Sequence, residues 1–249
     1  MRSDRSIPRL TGEAGSASVG SSPLVRLDAV SKTYREGAVA RSVLRDVTVE
    51  LARGGITSLT GASGSGKSTL IALLAGLTIP DAGRVVFDGR DLSELDDVAR
   101  AELRGGRIGI VLQSGNLIPF LTALQNVELA RELGGHPGDD GSARDRGSAD
   151  HLLAELGVDD RRHHLPRRMS GGEAQRVSVA VALANEPDLL LADEVTGQLD
   201  SVNAEEVMRV IFEVSRRRRL TVLFVTHNPE LAERAERRLI VANGGVHEG

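Results

Sequence analysis

The sequence predicts an α/β fold, and three observations carry the prediction. The first is the run Gly61-Ala62-Ser63-Gly64-Ser65-Gly66-Lys67-Ser68-Thr69, which fits G-x-x-x-x-G-K-[ST]. It stands between a strand-like run, Ile56 to Thr60, and a helix-like run, Thr69 to Leu77. The second is a set of short apolar runs at 108–112, 188–193 and 221–225, which read as buried strands with helical periodicity between them. The third is the interval 114–185, nearly all helix and loop, which looks like a small helical unit inserted into a larger sheet.

Length and composition set the outer bounds. With 249 residues and 40% hydrophobic content, the chain can bury the core of one large α/β domain or two small ones. Aromatics are only 2%, so that core must rest on Leu, Val, Ala and Ile. The net charge of −4 argues against a general nucleic-acid binder. Cysteine is absent, which excludes disulfides, thiol chemistry and cysteine-held metal. No apolar run approaches the length of a membrane span, and the N-terminus lacks the apolar segment of a secretory signal. A soluble, cytoplasmic protein is expected. Lysine occurs only at 32 and 67, against an otherwise arginine-based set of cations.

Residues 1–22 are rich in Ser, Gly and Arg without apolar period and are expected to be a flexible tail, with structure from residue 23. Leu24 to Val30 and Val43 to Leu51 alternate as strands, with turns at Gly37 and Gly54-Gly55. Tyr34, the sole tyrosine, lies between them; its place suits a ring stacked on a base and equally a half-buried strand-end residue. Pro80 to Gly83 reads as a turn, Arg84 to Phe87 as a strand, and Asp91 to Arg104 as a helix with Leu92, Leu95, Val98 and Leu103 on one face. Thr122 begins a helix over 123–133, 134–147 reads as a loop, and Asp150 to Leu156 as a further helix. Arg161 to Arg168 is a basic connector whose adjacent His163 and His164 are not read as metal ligands. Ser170 caps a helix to about Asn185, Ser201 caps another over 202–215, and Arg238 to Val246 forms a hairpin around Asn243-Gly244. The run Arg216 to Arg219 at the end of the second helix suits its dipole rather than a nucleic acid.

The chemistry concentrates at the ends of strands. Glycines at 61, 64 and 66 allow the 61–69 turn to point successive N–H groups at one anion, beside the positive end of a helix. In such a loop Lys67 reaches the β- and γ-phosphates of a nucleotide and the Ser68 hydroxyl binds Mg2+. Asp193 closes a buried strand, where it would hold Mg2+, and Glu194, one residue further out, can orient or deprotonate a water. Gln113 closes another strand at the same rim, a place for a ligand-facing group or for a solvated strand end. His227 follows a third strand and could contact the terminal phosphate. Gly171-Gly172 leave the N–H groups of the helix after Ser170 uncovered, a second anion-binding helix terminus far from the first in sequence.

Taken in order, Tyr34, the 61–69 loop, Gln113, Ser170-Gly171-Gly172-Glu173, Leu189 to Glu194, Leu199-Asp200 and His227 resemble the ATP-binding subunit of an ABC transporter. The resemblance runs from about residue 24 to the C-terminus. Gln113, Asn116 to Pro119, Leu121-Thr122, Asn126-Val127, Leu191 to Glu194 and Thr196-Gly197 resemble in particular the branch of lipoprotein release, macrolide export and antimicrobial-peptide export. The resemblance implies a P-loop NTPase of ABC type over 23–249, with a RecA-like core, an N-terminal antiparallel β subdomain and an inserted α-helical subdomain at about 114–185. It implies ATP and Mg2+ as cofactors, with Ser68, Gln113 and Asp193 at the metal and Tyr34 stacked on adenine. Glu194 becomes the catalytic base, His227 the switch histidine, Gln113 the residue that answers to a membrane partner, and Asp200 part of the D-loop. Ser170, Gly171, Gly172 and Glu173 form the signature, which in a head-to-tail homodimer closes over the ATP of the other chain.

The sequence departs from the family pattern at four places. Val195 stands where proline is usual, which removes a fixed φ and is expected to loosen the D-loop. Val181 replaces a usual arginine, and Gly115 and Ala174 are also unusual. The implied function is an ATPase that powers a separate membrane permease, an exporter, from the cytoplasmic face of the membrane, with no nucleic-acid partner. The same engine working as a mechanical regulator of envelope enzymes, without transport, has identical motifs. A DNA-repair or translation ATPase would add a coiled coil or a second cassette, neither of which is in the sequence.

Overall fold

The computed structural model describes residues 22–37, 39–113, 116–134 and 148–249. All but Ser22 of the expected tail, all but Gly134 of the expected 134–147 loop, and the departure at Gly115 lie outside the described residues. Two sheets organise the rest. β1 (Val25–Glu36), β2 (Val39–Leu51), β4 (Ala82–Phe87) and β5 (Arg90–Asp91) form an antiparallel sheet in the order β2-β1-β4-β5. The second sheet also takes in β3 (Ile56–Gly61), β6 (Ile108–Val111), β7 (Leu189–Asp193), β8 (Thr221–Val225), β9 (Arg237–Ala242) and β10 (Gly245–Glu248). Its order is β10-β9-β3-β8-β7-β6, parallel from β9 to β6, with β10 antiparallel at the edge. The α/β class is thus borne out.

The strands of the parallel sheet are apolar on both faces because both faces are covered. On β7, Leu189 and Leu191 enter the core shared with the antiparallel sheet, α1 (Lys67–Leu74) and α2 (Asp97–Arg107). Leu190 and Ala192 enter the opposite core, built with α3 (Ala123–Leu133), α4 (Ala149–Glu155), α5 (Gly171–Leu183) and α6 (Ser201–Arg218). β8 divides the same way, Leu223 and Val225 to one side, Val222 and Phe224 to the other. A last short helix, α7 (Pro229–Ala232), follows β8.

Several expectations need correction. The helix expected over 91–104 is interrupted. Asp91 caps a single 3-10 turn at Leu92–Glu94, and Asp96 then caps α2, its carboxylate accepting the Ala99 N–H. Two successive caps win over a continuous apolar period, and Val98 ends up 66% exposed. α1 spans Lys67–Leu74 rather than starting at Thr69, and β1 runs on past residue 30 to include Tyr34. Asp200, not Ser201, caps α6, its carboxylate accepting the Asn203 N–H at 2.9 Å. α6 extends through the arginine run, where Arg217 (3.2 Å) and Arg218 ion-pair with Glu155 of α4.

Polar groups tie the layers together where the apolar core stops. Arg107, at the end of α2, pairs with Asp88 of the β4–β5 turn at 2.8 Å and with Asp188 before β7 at 2.6 Å. Its guanidinium also lies 5.1 Å from the Phe87 ring centroid. The Asn185 amide donates to Gly105 O at 2.9 Å and to Ala130 O at 2.8 Å, bracketing α2 to α3 just past the end of α5.

Phe224 and Phe212 meet edge to face at 5.6 Å in the core beneath α6. Phe224→Ala is expected to lower stability by about 3–5 kcal/mol, read from the urea midpoint, because it leaves a cavity against Phe212 in the core.

Candidate active site

β3, the 61–69 turn and α1 build the first half of the site. Gly61, Gly64 and Gly66 take φ of 147°, 71° and 115°, so the turn needs glycine at all three. At Gly61 there is also no room: a Cβ would sit 2.5 Å from Val241 O and 2.8 Å from Ser65 Oγ. Lys67 is buried, and its ammonium donates to Gly61 O at 2.9 Å and Ala62 O at 3.1 Å. It therefore lies across the mouth of the loop. Ala62, Ser63, Gly64 and Ser68 are exposed around it, and Thr69 is half-buried.

β8 separates β3 from β7 and brings their C-terminal ends level. Asp193 pairs in register with Val225, and Val225 with Leu59. Burial pushes the Asp193 carboxyl above its ordinary range, and the charge of Glu194 adds to that; a hydrogen bond from Ser68 and the Lys67 charge hold it back. Among the described residues no cluster of three acidic, His or Cys side chains could hold a metal. The pair Ser68 and Asp193 nevertheless fits Mg2+. It offers a hydroxyl and a carboxylate short of positive charge, and such a hard cation usually takes further ligands from phosphate and water.

Glu194 sits in the left-handed region at φ 49°, and its Oε1 lies 2.8 Å from Nε2 of His227. The two residues that sequence placed on separate strands thus form one pair at the rim. Val195 is itself 3% exposed, in the core. Gly197 N–H donates to Glu194 O at 2.9 Å, Leu199 N–H to Thr196 O at 3.1 Å, and the buried valine anchors the turn. Val181 packs half-buried against the same core, and Ala174 is half-buried beside Gln175. Gln113 is exposed and reaches this turn, since a Cβ on Gly197 would come 3.0 Å from Gln113 Nε2.

The signature residues open α5, where Gly171 lines one cleft with Gln113 and Leu199. Ser170 and Gly171 are exposed. The N-terminus of α5 is less open than expected. Ser170 Oγ accepts the Glu173 N–H at 3.2 Å, and the Glu173 carboxylate accepts the Ser170 N–H at 2.8 Å, a reciprocal capping box. Gly172 is buried, because a Cβ there would meet Asn203 Oδ1 at 2.5 Å. Asn203 in turn donates its amide to Asp200 at 2.7 Å. Its N–H and amide hold the Asp200 carboxyl below the usual carboxylate range. Sequence reasoning missed Asn203 and also Arg161, whose guanidinium holds Glu173 at 3.1 Å. Neither lies within a motif. Tyr34 is 42% exposed on β1, with the Lys32 ammonium 5.8 Å from its ring centroid.

Residues 44–197 match the family model described as ABC transporter. Among solved structures, the ATP-binding cassette MJ0796, in a dimeric post-hydrolysis state bound to ADP and Pi, is 36% identical with a TM-score of 0.82. The match covers 90% of this chain and 97% of that one. A second dimeric structure of MJ0796, described as a bacterial ABC transporter cassette, matches at 35% identity and TM-score 0.80, over 90% and 97% of the two chains. CbiO1 from Clostridium perfringens, part of the ABC transporter complex CbiONQ, is 25% identical with a TM-score of 0.80, over 92% of this chain and 89% of its own.

The capping box sets an acid limit on α5. The Ser170 N–H, then Arg161, hold the Glu173 carboxyl below its ordinary value of 4.5. A depressed folded pKa contributes stability that is present above that ordinary value and is lost as pH falls through the folded one. Glu173→Gln keeps the capping box but loses the charge, and is therefore expected to cost about 0.3–1 kcal/mol at neutral pH. The gap to the parent should narrow as acid titrations of unfolding go below pH 4.5.

Proposed function

The chain belongs to the ABC transporter family, and from that premise we propose that it is the ATP-hydrolysing engine of a membrane exporter, working as a homodimer that closes on two ATP molecules. The observation that carries the chemistry is the Glu194–His227 pair, 2.8 Å apart beside the Lys67 loop. The 61–69 turn binds the phosphates through its N–H groups, with Lys67 moving from loop carbonyls onto the β- and γ-oxygens. Ser68, Asp193 and Gln113 would hold Mg2+. When bound, the ion neutralises charge on the phosphate oxygens. Glu194 orients and deprotonates the attacking water. His227 fixes the Glu194 carboxylate and contacts the terminal phosphate. Tyr34 stacks on adenine. Ser170 and Gly171 close over the ATP of the partner chain, with Gly172 and Glu173 shaping that helix end, and Asp200 lies at the seam.

Among the described residues no helix is long and apolar enough to cross a membrane; the family resemblance supports a separate permease as the recipient of the work. Leu112, next to Gln113, and Phe120, 43% and 76% exposed, suit that docking surface at the cytoplasmic face of the membrane. The finer placement in the branch of lipoprotein, macrolide and peptide export rests on the motifs around Gln113 and Thr196. The mechanical-regulator reading shares every residue named here. Identifying the membrane protein that co-purifies with the chain separates the two.

Glu194→Gln is expected to cut turnover by roughly 10²–10⁴-fold while Mg-ATP still binds, as read by steady-state phosphate release and equilibrium binding. Undiminished hydrolysis would remove Glu194 from its role. Turnover per chain should rise with protein concentration across the monomer–dimer range, and a constant specific activity would contradict a site shared between two chains.

A further inference from the structure

The hairpin of β1 and β2 carries a cation that the mechanism above leaves unused. Tyr34 and Arg41 are directly opposed in its register, so their side chains leave the ribbon on the same face. From there the Arg41 guanidinium reaches the phosphate loop, with Nη2 3.4 Å from Gly64 O. It lines one cleft of about 280 Å3 together with Ser63, Gly66, Lys67, Ser68 and Glu194. Its neighbour Arg45 is engaged otherwise, its Nε donating to Ser42 Oγ at 3.2 Å. Among the described residues no carboxylate pairs with Arg41, so its charge is not already neutralised. Lys67 is buried at the floor of the cleft, whereas Arg41 stands exposed at its wall.

We propose that Arg41 is a second cation of the nucleotide site. It binds the phosphate chain midway between a base on Tyr34 and the terminal phosphates on the 61–69 loop, and so favours polyphosphorylated nucleotides over less charged ones. A planar guanidinium with five donors suits bidentate contact with phosphate oxygens, and at the edge of a cleft it can also draw the ligand in. The inference rests on the ATPase reading, because it needs the base at Tyr34 and the phosphates at the loop.

The test is equilibrium binding to the full chain with two probes, Mg-ATP and magnesium tripolyphosphate, the latter as a competitor. Arg41→Ala is expected to weaken both about tenfold and to flatten the salt dependence of each. Arg41→Lys should restore part of the loss. Tyr34→Ala should weaken Mg-ATP and leave tripolyphosphate unchanged. Equal binding of both probes by parent and Arg41→Ala overturns the proposal. So does a loss confined to Mg-ATP, which would make Arg41 a support for Tyr34, or a failure of tripolyphosphate to compete with the parent. A parent chain that binds no Mg-ATP at all overturns the ATPase reading instead. Unfolding midpoints without nucleotide should agree within about 2 °C; if Arg41→Ala fails that, Arg41→Gln carries the same comparison.

Discussion

The ladder that joins β3, β8 and β7 is the constraint on which the site depends. Burial on a face fixes strand register, and here a slip of one residue would exchange Leu190 and Ala192 for Leu189 and Leu191 between two differently shaped cores. With that register fixed, Asp193 stands level with Val225 and Leu59. The loop after β3, the acids after β7 and the histidine after β8 then converge at one rim without any side chain having to reach far. The chemistry of phosphate binding is thus positioned by packing rather than by polar contacts.

Charge is arranged around this rim with little redundancy. Asp193 is raised by burial and by Glu194, and Ser68 and Lys67 only partly offset that. Such a carboxylate binds a cation strongly because the alternative, a half-buried negative charge beside another, is unfavourable. Glu194 is held by His227 on one side and by a left-handed backbone on the other. The same turn carries Gly197 against Gln113. Gly197 donates its N–H to the carbonyl of Glu194, so Gln113 lies against the turn that carries Glu194.

Much of this was legible in the sequence because glycine and capping residues act locally. The 61–69 turn, the strand ends at Asp193 and Val225, the helix over 123–133 after Thr122 and the Asn243-Gly244 hairpin each follow from a short window. What was not legible depended on partners distant in the chain. Asp96 could be seen as a cap only by giving up the apolar period of 91–104, which the exposure of Val98 shows to be coincidental. Asp200 was passed over for Ser201 because both are good caps, and the choice falls to Asn203, whose N–H and amide both turn to Asp200. Glu173 folded back on Ser170 follows the Ser-x-x-Glu spacing of a capping box, but its pairing with Arg161, 12 residues earlier, has no such local rule.

The tight approach of Gly172 to Asn203 has a mechanical meaning. The starts of α5 and α6 touch where not even a methyl group fits, and Asn203 is fastened to Asp200. Any larger side chain at 172 would have to displace Asn203, and with it the residue that holds the Asp200 cap of α6.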